Sequence, residues 1–103
     1  MARQRPSIPK LSPTESLIVE LLSGEELYGL QLVAASKGRL KRGTIYVTLG
    51  RMEEKGYVTS RLEDAPPDAG GLPRRLYKPT ALGLRVLTAW TEVARMLTVR
   101  FAR

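Results

Sequence analysis

The sequence predicts an α+β fold that is mainly α: three helices, a two-stranded hairpin and a longer fourth helix. Apolar residues recur at helical spacing in four segments, each set off from the next by residues that turn or break the chain. Between the third and fourth segments, two stretches alternate in period two around a run of turn-forming residues. At 103 residues the chain is one domain, long enough for a modest core.

Residues 1–11, "MARQRPSIPKL", place Arg3, Arg5 and Lys10 among prolines and lack the apolar centre of a signal peptide. They read as a flexible basic arm. The first helix opens at Ser12 as N-cap, with Pro13 at its first position and Glu15 completing a capping box. Leu17, Ile18, Leu21 and Leu22 form its apolar stripe, and Gly24 is expected to end it. "YGLQLVAAS" is a short second helix that offers Leu30, Leu32 and Val33 for burial, and "KGRLKR" is a turn.

The third helix is expected over residues 43–55. Ile45, Leu49 and Met52 share one side, while Thr44, Val47, Thr48, Arg51 and Lys55 share another, short and polar at one end and basic at the other. Gly56 closes it. "YVTSRLE" and "LPRRLYKPT" are the hairpin strands, with "DAPPDAGG" between them and Pro73 near the start of the returning strand, where a missing N–H does least harm. Helix, turn, helix and then a hairpin make residues 12–79 a winged helix-turn-helix. Thr80 caps the last helix, over residues 80–103.

That last helix carries Leu82, Val86, Leu87, Trp90, Val93, Ala94, Leu97 and Phe101 over about half its circumference, at ~100° per residue. Three short helices and a hairpin offer little surface to cover so wide a stripe. One part is expected to cover the domain and the rest, Val86, Trp90, Val93, Leu97 and Phe101, to meet a second copy. A wholly intramolecular contact is the alternative.

Lys and Arg number 17 against 10 Asp and Glu, a net charge of +7. Such a balance suits a polyanion, whether nucleic acid, anionic membrane or an acidic protein, or is only a soluble basic surface. The chain contains no Cys or His, which removes disulfides, the usual zinc ligand sets and histidine acid–base chemistry. No phosphate-cradling Gly motif and no converging pair of carboxylates is visible, so an enzyme is not expected, and no cofactor. The composition suits a reducing cytoplasm, and no apolar run approaches the ~20 residues that span a membrane.

In a helix-turn-helix the second helix of the motif lies in the DNA major groove. Ile45, Leu49 and Met52 would pin this helix to the others. Thr44 and Thr48 can donate to phosphates or touch a thymine methyl, Val47 can make apolar contact, and Arg51 can reach phosphate or guanine. Tyr46 points to the flank, where its hydroxyl can reach a phosphate. Lys41 and Arg42, just ahead of the helix, join the expected contacts. Glu53 and Glu54 would confine DNA to the first turns. Arg74 and Arg75 on the hairpin either lean towards the minor groove or backbone, or balance Glu63, Asp64 and Asp68. A solvated helix face is the plain alternative.

The run "LYGLQLVAAS…RGTIYVTLGRMEEKGYV…GGLPRRLYKPTALG" resembles the PadR family of winged-helix transcriptional regulators. Tyr28-Gly29, Gly43-Thr44-Ile45-Tyr46, Arg51-Met52-Glu53, then Gly70, Gly71, Arg74, Arg75, Tyr77, Thr80 and Gly83 match the family's motifs in order. The resemblance covers roughly residues 12–97. It implies a homodimer through the C-terminal helix, binding to operator DNA, usually repression, and contacts from Thr44, Tyr46 and the wing arginines. The chain departs from the family at Lys41-Arg42, where Ser-Pro is common, at Gly50, where a longer residue is common, and in the insertion "APPDA". Its single C-terminal helix resembles the family's short form.

Some relatives bind flat apolar molecules between the dimer's helices, so Trp90 could stack on a small planar apolar effector, or serve simply as an interface anchor. The leading expectation is a homodimeric repressor on an inverted-repeat operator. A DNA-binding accessory protein of a mobile element shares every residue named, and a winged-helix protein-interaction module would use the same hairpin and apolar helix.

Overall fold

The computed structural model describes residues 9–63 and 74–101, with the side chains of residues 99–101 excluded. The wing tip "DAPPDAGG", Pro73, Gly70, Gly71, Arg3 and Arg5 lie outside the described residues. The elements run α1 (Pro13–Leu22), β1 (Leu27–Tyr28), α2 (Gly29–Ala35), α3 (Ile45–Glu54), β2 (Val58–Leu62), β3 (Arg75–Pro79) and α4 (Ala81–Phe101).

The expected capping box opens α1. The Ser12 hydroxyl accepts from the Glu15 amide at 3.1 Å, and Glu15 Oε1 accepts from the Ser12 amide at 2.8 Å. The helix ends at Leu22 with Ser23 as its cap, so Gly24 lies just beyond it. In α2, Leu32 is fully buried but Leu30 is 43% exposed. Leu30 and Leu32 stand two residues apart, ~160° round the helix, and a single packed face holds only one of them.

Residues 36–44, rather than a short turn, connect α2 to α3. The buried Ser36 staples that connection, donating to the Val33 carbonyl at 2.7 Å and accepting from the Leu40 amide at 2.9 Å. Leu40 thereby enters the core. At its far end α3 closes as foreseen. Gly56 adopts φ +82°, its N–H donates to the Glu53 carbonyl, and the Tyr57 N–H donates to Met52.

The wing belongs to a three-stranded antiparallel sheet, order β1-β3-β2, where two strands were expected. Leu27 pairs with Tyr77 and Tyr28 with Leu76, a two-residue strand too short to show a period in the sequence. The core gathers Ile18, Val19, Leu22, Leu32, Ile45, Leu49, Met52, Val58 and Tyr77 from three helices and the sheet.

Thr80 and Gly83 set α4 against this body. The Thr80 hydroxyl accepts from the Gly83 amide at 3.0 Å and donates to the Gly56 carbonyl, while the Thr80 amide donates to the Tyr57 carbonyl at 3.0 Å. A β-carbon on Gly83 would collide with the Tyr57 carbonyl, so the glycine permits the approach. Val86, expected at an interface between subunits, is instead 6% exposed within the chain's own core. It lies three residues past Gly83, where α4 still touches the domain. From Thr88 to Thr98 every residue is exposed. Val93 and Leu97 are on that stretch. The backbone of Phe101 ends the helix, and its side chain lies outside the described set.

Candidate nucleic-acid interface

The buried faces of Ile45, Leu49 and Met52 orient α3, and the opposite face is open. Thr44 is its N-cap residue, yet its hydroxyl makes no capping bond. Tyr46 and Val47 are 51% and 57% exposed, and Arg51 is also exposed, while Thr48 is half-buried. Lys41 and Arg42 lie exposed in the turn before the helix, and the Lys41 carbonyl accepts from the amides of Thr44 and Ile45. Among the described residues, Lys41, Arg42 and Arg51 have no ion-pair partner. Three cations facing solvent beside two threonine hydroxyls form a surface suited to phosphate oxygens.

Lys55 departs from the outward basic face. Its Nζ stands 2.9 Å from Glu15 Oε2 and closes the C-terminal end of α3 onto α1. Burial works to raise the Glu15 pKa, but hydrogen bonds from the Ser12 backbone and Lys55, with the charge of that lysine, hold the carboxyl below its ordinary 4.5. An open cleft of about 380 Å³ runs between the two helices, lined by Ser12, Thr14, Thr44, Thr48 and Arg51 with the Glu15–Lys55 pair. Ser12 and Thr14 were not singled out as site residues. Ser12 is the N-cap and Thr14 the second residue of α1, and only packing brings α1 beside α3.

A second open cleft, about 640 Å³, lies on the other flank of α3 and is lined by Tyr28, Leu30, Gln31, Ala34, Tyr46, Arg74 and Arg75. Tyr46, Arg74 and Arg75 therefore meet at one place, with Leu30 exposed beside them. The two arginines differ. Arg74 donates from Nε to Glu63 at 3.1 Å and from Nη1 to the Tyr28 hydroxyl at 3.0 Å, and its guanidinium lies 4.5 Å from that ring's centre. Arg74 thus balances Glu63, one of the two arrangements foreseen for it. Arg75 donates to Ser60 at 3.1 Å, and Ser60 donates to Glu53 at 2.8 Å, linking wing to α3. Arg61 and Glu26 form a bidentate pair at 2.9 and 3.1 Å, which first through its hydrogen bonds lowers the Glu26 pKa.

Trp90 lies at the edge of exposure, 36%, and its indole N–H donates to the Pro9 carbonyl at 2.8 Å. The Tyr57 hydroxyl donates to the Lys10 carbonyl at 3.3 Å. The last residues of the basic arm are thereby tied to α4 and to the α3–β2 junction, a contact for which the sequence carries no local pattern. Among the described residues no cluster of carboxylates could hold a metal ion, and no helix is long and apolar enough to cross a membrane.

The sequence matches the Transcriptional regulator PadR-like family over residues 18–89. Among solved structures it is similar to a PadR family transcription regulator from hypervirulent Clostridium difficile R20291, at 26% identity and TM-score 0.69, covering 86% of this chain and 97% of that one. A PadR family transcriptional regulator from Eggerthella lenta DSM 2243 matches at 27% identity and TM-score 0.71, over 86% of this chain and 78% of that one. Bacillus subtilis PadR, solved in complex with operator DNA, shares the fold at 24% identity and TM-score 0.68, over 77% of this chain and 46% of that one. No curated protein matches the sequence significantly. Three helices, the sheet-bound wing and the T-x-x-G junction into α4 coincide with a family match over most of the chain, which therefore belongs to the PadR-like family of transcriptional regulators and carries its DNA-binding winged-helix fold.

Proposed function

We propose that the chain is a homodimeric, sequence-specific repressor that binds an inverted-repeat operator in the cytoplasm. In this reading residues 12–79 read DNA, residues 80–103 join the two copies and residues 1–11 form a basic arm. The observation that carries it is the outward face of α3, where Lys41, Arg42 and Arg51 face solvent with no ion-pair partner among the described residues. Thr44, Thr48 and Val47 supply donors and an apolar contact between these cations. Tyr46 and Arg75 extend the surface to the wing, with Arg74 at its inner edge. The operator complex of Bacillus subtilis PadR supports the same use of this fold.

The exposed second half of α4 supports the dimer. Trp90, Val93, Met96 and Leu97 are between 36% and 66% exposed, a run of large apolar groups that the described residues of the protomer leave partly or largely uncovered. Two such helices packed together would set the two α3 helices to read half-sites about one turn of DNA apart, ~34–36 Å. Trp90 is the residue on which a small planar apolar effector would stack.

A fluorescence-anisotropy titration tests this, with DNA from the gene's own upstream region beside a scrambled duplex at two salt concentrations. Tighter binding to the upstream DNA that weakens with salt supports an autoregulating repressor. Equal binding moves the role to a DNA-binding accessory, and binding to neither leaves a protein-docking module.

A further inference from the structure

The centre of the outward face of α3 carries two residues that the fold itself does not explain. Gly50 sits inside a ten-residue helix, where glycine weakens the helix relative to alanine. A β-carbon built there meets nothing within 4 Å, so no packing among the described residues calls for glycine. Val47, one turn earlier, is 57% exposed. It stands two residues from both Ile45 and Leu49, and Gly50 stands two residues from Met52. Since those three are 1%, 0% and 0% exposed, Val47 and Gly50 both lie ~160° round the helix from buried neighbours.

The result is a smooth apolar strip amid polar groups. Thr44, Thr48 and Arg51 border it, and Glu54 ends it with a carboxylate that phosphates avoid. A missing side chain at the centre of a binding face lets the backbone come close to whatever lies opposite. What lies opposite must be apolar, because neither residue's side chain can satisfy a buried donor or acceptor. On base edges in the major groove the apolar group is the 5-methyl of thymine.

We propose that Val47 and Gly50 form a seat for a thymine 5-methyl group, with Gly50 admitting the helix backbone to the base edge. The seat rests on the reading of α3 as the DNA-reading helix. Lys41, Arg42 and Arg51 hold the flanking phosphates and so fix the depth at which the methyl meets the strip.

The test uses the full chain. A random duplex pool is selected on the wild-type protein, and the enriched duplex is then made with thymine or with deoxyuridine throughout. Wild type binds the uracil duplex more weakly by about fourfold or more, the loss expected for each buried methyl. In Val47→Ala that penalty shrinks by about fourfold, because the mutation and the missing methyl affect one contact. Gly50→Ala melts at a higher temperature than wild type yet binds the thymine duplex about tenfold more weakly, the size of a lost base contact. No uracil penalty in wild type, an undiminished penalty in Val47→Ala, or wild-type affinity in Gly50→Ala each overturns the seat and leaves DNA reading intact. A pool that enriches no sequence overturns both.

Discussion

The ring of Tyr46 lies across Gly29 so closely that a β-carbon on that glycine would stand 2.5 Å from the ring. This contact joins the second helix to the exposed flank of the third that carries Tyr46. Gly29→Ala cannot be accommodated with the ring in place, but Tyr46 is half exposed and can swing away. The expected outcome is a fold that survives, at a cost of about 1 kcal/mol, with operator affinity reduced as in Tyr46→Ala. Urea denaturation beside anisotropy separates the two effects, and unchanged DNA binding would remove Tyr46 from the interface.

Gly83 faces backbone rather than a movable side chain. Its β-carbon would strike the Tyr57 carbonyl, which already accepts from Thr80. Gly83→Ala is expected to destabilise by about 2–3 kcal/mol by prising α4 from the domain. Thermal melting checks this, and a variant as stable as wild type contradicts the close approach.

Arg51 is expected to act by charge. Arg51→Ala should reduce the slope of log affinity against log salt by about 0.9, one phosphate's worth. Arg95, paired with Glu92 at 2.7 Å on α4, is the control, and its alanine variant should keep the full slope. Equal slopes for both variants and wild type would count against a phosphate contact at Arg51.

Trp90 combines an observed bond to Pro9 with a proposed place in the dimer interface, and substitutions can separate the two. Trp90→Phe keeps an aromatic ring on α4 but loses the N–H bonded to the Pro9 carbonyl, at about 1 kcal/mol. Proteolysis of the N-terminal arm should quicken while the sedimentation profile stays that of a dimer. Trp90→Ala should also shift the profile towards monomer at low concentration. A wild-type profile for that variant would refute the proposed interface.

The Glu15–Lys55 pair predicts a pH dependence. The Glu15 carboxyl is held below 4.5 in the folded chain, so its contribution is present above that pH and is lost as pH falls through the folded value. Lys55→Met should therefore cost up to about 1 kcal/mol at neutral pH, and the deficit should shrink in acid once Glu15 is protonated. Urea midpoints across pH test this, and a deficit that stays constant into acid would mean that Lys55 acts through packing.

Local chemistry was legible in the sequence wherever one segment settles its own structure. The Ser12–Glu15 box, the Gly56 cap and the buried side of α3 each depend on residues within about two helical turns of one another, so the chain spells them out. Thr44, Val47 and Arg51 could be placed on an open face for the same reason. Distance along the chain hid the rest. Strand β1 exists because β3 offers it an edge, Lys55 leans onto α1 to pair with Glu15 at 2.9 Å, and Arg74 is drawn to Tyr28 and Glu63. Val86 followed the same apolar period as Leu97, yet one is buried and the other exposed. Periodicity reports which side of a helix is apolar, whereas the packed domain decides how far along the helix that side is covered.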